Sequence, residues 1–482
     1  MIALLALLVL SAVSLVWYIS IRALYRRTGD FLYPAGGVLI YLWTFFGAWW
    51  FIGDSLSGFQ GYRIGLVYYY YMERMLPFVL DANYVLGLLA YGLFAVALSG
   101  TLWWLRTRAV APDPSPVRVD HRALLLAGLL CMVGSLLCVL PNIQEAWREN
   151  VSFYSVIRGH PGRWSALHGI LNEAATCCLL FGYAIALVSS HPRALFTGTG
   201  ARWPLVAYPV ALSLFGLYLS LIGDRHALFA GLILSILYIF GRAGSGAWKR
   251  SILLIGVTVG CLFFGGWVRG FSAREMATLQ SEQVDEGPFR VPMIAHVPRH
   301  AKGLVARAGS SVLSNEFFAA HFSMYAVLTK RVPVEPFISF KYLAGSAVPS
   351  FIRGTRPVSA YDHYATSAGF DPRTGYTIHH ATAWYLNFGW VGLALGGFCM
   401  GAIWGGLNKL RASPRTAGRG AWASFLPYLF VAFLPTLLRT GPEGFRALLI
   451  EGFGIPLAVL LAAAWVAKRT DKGTGQQVAR PA

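Results

Sequence analysis

Stretches of about twenty uncharged, mostly apolar residues recur from one end of this chain to the other, and that recurrence leaves it few possible folds. Each stretch can cross ~30 Å of hydrocarbon at about 1.5 Å per residue. Backbone in lipid must satisfy its own N–H and C=O groups, so segments of this length cross as helices. Eleven are read: 1–20, 31–53, 82–104, 123–141, 167–189, 204–222, 226–241, 251–268, 383–408, 421–438 and 447–466. The expected fold is an all-α polytopic membrane protein, one membrane domain over residues 1–482 with the lipid bilayer as its solvent. Composition agrees, since 56% hydrophobic and 13% charged residues with a mean hydropathy of +0.55 lie outside the soluble range.

A net charge of +19 would suggest nucleic acid in a soluble protein, but the charge here follows the spans. Segments 21–30, 105–121, 190–203, 242–250, 409–420 and the tail from 467 carry nineteen basic residues against four acids. The short loops of the other parity, 54–81, 142–166, 223–225 and 439–446, carry eight against seven. The alternation obeys the positive-inside rule, so no nucleic-acid partner is expected; it places the N-terminus outside and the C-terminus in the cytoplasm. The first segment has no basic residue before its apolar run, and Arg22, Arg26 and Arg27 follow it, so it reads as a retained helix and not a signal peptide. All six cysteines lie inside expected spans, which argues against disulfides and zinc.

Residues 269–382 form one long outward loop, too long for a plain connection and therefore the expected seat of function. Within it, 311–329 reads as an amphipathic or re-entrant helix and 337–348 as a second short apolar piece, so the loop is expected to fold back on the membrane over a cavity. Tyr68 to Tyr71, before Glu73 and Arg74, read as an interfacial aromatic belt, with a sugar-stacking surface as the other reading. Segment 110–119 and the tail 469–482, a flexible cytoplasmic tail, look disordered, and no internal repeat is present.

Several chemistries lack their motifs. No phosphate-cradling Gly-rich loop is present; Gly198-Thr199-Gly200 is followed by Trp203 where a third glycine is wanted. The outward loops hold neither a DxD pair nor HExxH, so no metal or other cofactor is expected. They do hold arginines. Arg225, beside Asp224 in a three-residue outer turn, must sit at the membrane boundary, where a guanidinium can clasp a phosphate or simply pair with its neighbour. Arg439 and Arg446 flank another tight outer turn, with Glu451 about one helical turn deeper. Glu451 and Glu173 are ionisable groups within spans, hence functional candidates or arginine partners. The pair His379-His380 directly precedes the ninth span, where an imidazole can accept a proton or serve structurally.

Residues 376–392, YTIHHATAWYLNFGWVG, resemble the signature before a late helix in Wzy-type oligosaccharide repeat-unit polymerases. Upstream, 345–357 (GSAVPSFIRGTRP) is similar to that family's proline- and arginine-containing stretch, and GDRHALFAG at 223–231 resembles its G-x-R motif. The three occur in the expected order, although Ser350 and Arg356 stand where the family often has arginine and lysine, with Arg353 offering the displaced charge. The context of His380 is also similar to that of O-antigen ligases, a related group. The resemblance implies a GT-C-like glycosyltransferase of the bacterial inner membrane. It would join undecaprenyl-diphosphate-linked oligosaccharide repeat units on the periplasmic face into a surface polysaccharide, alongside a chain-length regulator and a flippase. In that scheme His380, with His379 in reserve, is the base, and Arg225, Arg353 and Arg356 stabilise the leaving diphosphate. Arg439, Arg446, Asp224 and Glu451 are further substrate-binding candidates. Transfer to another acceptor by a ligase, and transport or flipping of a lipid-linked glycan, are the alternatives.

Overall fold

The computed structural model describes residues 2–60, 80–107, 119–149, 165–189, 203–222, 226–243, 252, 255–256, 320–346, 357–369, 377–412 and 425–477. Among them the chain is helical with no strand, and seven helices are long and apolar enough to cross a membrane. This is a multi-pass α-helical membrane architecture. Within the single domain read from the sequence, contacts separate two compact units.

The first unit holds residues 1–110, 284–416 and 433–448. Helix α1 is Ile2–Thr28. Helix α2 runs Leu32–Leu56 through a π-helical turn at Leu42–Phe46. Helix α3 is Ala82–Trp104, with its first turn capped by the Asp81 carboxylate, which accepts the Tyr84 N–H at 3.1 Å. The expected span 82–104 thus coincides with a helix, whereas α1 continues past residue 20 through three arginines, whose long stems let charge follow an apolar run out of lipid.

Helix α11, His380–Ala412, lies along α3, and its glycines allow the approach. A Cβ on Gly401 would lie 2.8 Å from Thr101 Cβ and one on Gly405 2.7 Å from Leu105 Cβ, while one on Gly397 would press on the Phe94 carbonyl. Glycines four apart give one helix face a groove for the facing backbone, the usual device where no hydrophobic force drives helices together in lipid. The helix is kinked at Phe388 (φ −146°) and Gly389 (φ +62°, ψ −144°), the latter a conformation open essentially to glycine alone.

Three short helices come from the segment 269–382, read from the sequence as one long loop: α8 Phe322–Thr329, α9 Ile338–Ser346 and α10 Ala360–Ser367. Within the expected amphipathic or re-entrant helix 311–329, α8 is buried from Phe322 to Val327, because it packs on α3 and α11. Helix α10 begins with a capping box in which Ser359 and Asp362 satisfy each other's backbone N–H.

The second unit holds residues 111–283, 417–432 and 449–482. Helix α4 is His121–Glu149; α5 comprises Ser165–Thr176, the π-helical turn Cys177–Phe181 and Gly182–Ser189; α6 is Trp203–Ile222 and α7 His226–Ala243. Helices α5 and α6 meet where Gly182 lies against the Tyr208 ring. Of the expected span 251–268 only residues 252 and 255–256 are described, and the tyrosine run 68–71 lies outside the described residues.

Helix α12, Leu426–Thr440, ends at the 3-10 turn Gly441–Glu443 and is followed by α13, Gly444–Ala447, a π-helical turn Leu448–Gly454 and α14, Ile455–Gln477. The apolar stretch Leu426–Ala463, 38 residues long, therefore overlaps most of both expected segments 421–438 and 447–466, broken at Gly441 (φ +69°). The start of the expected flexible tail belongs to α14.

Candidate functional site

The histidine pair opens α11 where α2, α8 and α12 converge within the first unit, and both side chains are fully buried. Each imidazole is held by two partners that dictate its tautomer. The Leu437 carbonyl, 3.0 Å from His380 Nδ1, can only accept, so Nδ1 carries the proton. Trp384 Nε1–H donates to His380 Nε2 at 3.0 Å, which takes up the remaining lone pair. For His379 the pattern is reversed: Nδ1 accepts the Ala381 N–H at 3.1 Å, leaving Nε2–H to donate to Thr44 Oγ1 at 3.1 Å. Thr44 sits in the π-helical turn of α2, where an extra residue per turn alters which side chain faces the bundle. Neither ring keeps a lone pair for a substrate proton.

These histidines belong to a buried polar network that docks α8. The His379 N–H donates to Ser323 Oγ at 3.0 Å, and Ser323 lies 2.9 Å from Thr382 Oγ1. The Tyr91 hydroxyl on α3 accepts the Met324 N–H at 3.2 Å and sits 3.2 Å from both Ser323 and Thr382. Every member is buried, so losing one partner leaves another stranded without water. One residue further along α8, burial pushes the Tyr325 phenol up to about 12, and the nearby Asp81 carboxylate adds to the shift, keeping the hydroxyl neutral.

A second constellation lies in the turn within 439–446. Glu443 Oε1 accepts the Ala360 N–H at 2.6 Å, tying the turn to the start of α10. Its carboxylate also takes a hydrogen bond from the Ser339 side chain on α9. Ser339 is fixed in turn by Asn387 of α11, whose Nδ2 donates to Ser339 Oγ at 2.9 Å and whose Oδ1 accepts the Ser339 N–H at 3.0 Å. Glu443 is only partly buried, and Arg439 (partly buried) and Arg446 (exposed) flank it in sequence. The turn Gly441–Glu443 thus holds a carboxylate against α9 and α10, with Arg439 at the end of α12 before it and Arg446 in α13 after it.

Of the residues singled out from sequence, His379, His380, Arg439 and Arg446 fall in the first unit and Glu451 in the second, in the π-helical turn Leu448–Gly454. Asp224, Arg225, Arg353 and Arg356 lie outside the described residues. Sequence reasoning passed over Glu443, counting it only as one loop charge, and over Asn387 inside the YLNFG motif. The available signal was position: Glu443 is the one acid between two arginines in an eight-residue outer turn, 439–446. In the second unit, Ser135, Asn172, His168 and Tyr218 form a buried polar cluster, with Ser135 Oγ donating to Asn172 Oδ1 at 2.6 Å and Tyr218 3.0 Å from His168 Nε2. Among the described residues no three His, Cys, Asp or Glu side chains gather as a metal site. Compared with known protein families, curated proteins and solved structures, the chain has no match in any of the three.

Proposed function

We propose that this protein is a metal-independent membrane glycosyltransferase that polymerises lipid-diphosphate-linked oligosaccharide repeat units, with eleven spans in a GT-C-like arrangement. Its site faces the periplasm of a bacterial inner membrane, on the side opposite the C-terminus. What carries the reading is the outer turn 439–446, which holds one anchored carboxylate between two arginines beside helices of the long outward segment. The three motif resemblances support the same assignment, and Asn387, inside one of them, is the residue that positions the Glu443 network.

An undecaprenyl-diphosphate donor is already activated, so the reaction needs positioning and charge stabilisation only. The acceptor hydroxyl attacks the anomeric carbon, the bond from that carbon to the diphosphate oxygen breaks, and its electron pair leaves with the lipid diphosphate. Arg439 and Arg446, together with Arg225, Arg353 and Arg356, are the cations proposed to meet that negative charge. The hydroxyl proton passes to Glu443, in place of His380, whose ring nitrogens are both engaged.

The test is Glu443→Gln, which keeps an oxygen to accept the Ala360 N–H but cannot take a proton. With purified protein and lipid-linked repeat units, polymerisation is expected to fall by about 10²-fold or more. In a strain lacking the gene, this variant at normal membrane abundance leaves single repeat units where the wild type restores a polymer ladder. A wild-type rate for Glu443→Gln would remove Glu443 from the mechanism. A ladder that persists on its lipid carrier in the deletion strain would replace polymerase by ligase.

A further inference from the structure

The end of the first unit where α1 and α3 finish brings two arginines to one indole. Arg27, on the last turn of α1, places its guanidinium carbon 5.1 Å from the centroid of the Trp103 ring. Arg106, just past α3, places its own 4.6 Å from the same ring and donates to the Trp103 carbonyl at 2.6 Å. One indole thus gathers two cations from two helices, and shared contact with a single ring keeps them within about one Debye length, ~10 Å, of each other. Their mutual repulsion calls for an anion.

Among the described residues of this unit no unengaged carboxylate stands there. Among the described residues of this unit the carboxylates are Asp30, Asp54, Asp81, Glu335, Asp362 and Glu443. Asp54 and Asp81 stand at the opposite ends of α2 and α3, and the last three lie in the outward segment and outer turn. Only Asp30 shares this end, and Arg411 already holds it: the two form a buried ion pair while Asp30 Oδ1 also accepts the Leu32 N–H at 3.1 Å. Arg26, Arg27, Arg106 and Lys409 remain as exposed cations around it.

Beside the cations the helices present apolar surface. Leu15, Val16 and Ile19 of α1 are more than 45% exposed, and Trp104 is 71% exposed. A ligand that satisfies both features is anionic at its head and apolar in its tails. We propose that Arg27, Arg106 and Trp103 form a binding site for the phosphate of an anionic phospholipid, its acyl chains lying along α1 and Trp104. Two planar guanidinium groups can each offer paired N–H donors to phosphate oxygens, and stacking on the indole holds them in place before the lipid arrives. The site lies on the face that carries the basic loops, where anionic headgroups and polybasic segments attract each other. It stands independently of the glycosyltransferase reading.

The experiment is titration of delipidated full-length protein in detergent with phosphatidylglycerol, with the affinity of the first bound lipid read by native mass spectrometry. The Arg27→Gln/Arg106→Gln double variant is expected to bind about 30-fold more weakly, the effect of removing two cations from an anionic surface. Phosphatidylcholine is expected to bind both proteins alike and weakly. Arg22→Gln removes a charge from the same helix end, where Arg22 lies over Tyr18 instead, and is expected to change the affinity little. Equal affinity in wild type and double variant overturns the site, and so does a loss in Arg22→Gln as large as in Arg27→Gln, which would mean a diffuse charge effect. Displacement of the lipid by millimolar inorganic phosphate would show that the anion alone is recognised and would overturn the phospholipid assignment.

Discussion

Gly441→Ala isolates the geometry that sets the turn Gly441–Glu443. Gly441 has φ +69°, and a methyl group there would press directly on Ala383 Cβ, an atom attached to the backbone of α11 and unable to swing aside. Left-handed backbone costs a non-glycine residue about 1–2 kcal/mol, and overpacking a closed contact costs about 1–3 kcal/mol, so a loss of roughly 2–5 kcal/mol is expected. The two contributions separate in a double-mutant cycle. Ala383→Gly alone costs about 1–2 kcal/mol in helix propensity and buried methyl, but combined with Gly441→Ala it removes the clash and leaves only the backbone cost. The double variant should therefore be more stable than the sum of the singles predicts, by about 1–3 kcal/mol. Reversible unfolding in mixed detergent and dodecyl sulfate micelles, followed by circular dichroism, measures all four corners. Strict additivity would refute the contact, and a Gly441→Ala variant as stable as the wild type would refute the turn itself.

Three further substitutions test the rest of the first unit. Gly397→Leu drives a side chain against the Phe94 carbonyl and should separate α11 from α3, seen as a lower melting temperature and faster proteolysis than for Gly406→Leu, whose added atoms meet open space. Asp30→Ala strands the guanidinium of Arg411 in a site where that residue is largely buried; about 3–5 kcal/mol should be lost, much of it recovered by Asp30→Ala/Arg411→Met. His380→Ala breaks two buried hydrogen bonds and should lower thermal stability while turnover per folded molecule stays near wild type, measured on size-selected protein. A folded His380→Ala protein with no turnover would return the base role to the imidazole.

Helix positions were largely legible from hydropathy, and the errors have local causes. Expected segments 204–222 and 226–241 correspond to Trp203–Ile222 and His226–Ala243, since the polar residues bounding them interrupt the apolar run at the helix ends. The first helix was cut short because hydropathy registers Arg22, Arg26 and Arg27 as an end, although their aliphatic stems continue it. The candidate site was legible in part. The chain places His379-His380 at the head of α11 as expected, but burial and partners decide whether an imidazole can act, and those come from Thr44, Ser323, Leu437 and Trp384, distant in sequence or not individually marked. Glu443 was hidden for a related reason: its anchors are a backbone N–H at Ala360 and a serine at 339, neither of which a pattern of side-chain types reveals.

The kink at Gly389 has a mechanical consequence. With 33 residues at about 1.5 Å each, α11 reaches ~50 Å, far more than ~30 Å of hydrocarbon, yet the portion beyond Trp390 already suffices to cross it. The helix is therefore two levers on one pivot. The shorter lever is fixed by its hydrogen bonds to α2, α8, α9 and α12, while the longer one is packed along α3 at Gly397, Gly401 and Gly405 and leans with it as the bilayer thickens or thins. Torsion at a single residue absorbs that leaning, so the geometry around Asn387 and Ser339 is insulated from the membrane that surrounds it.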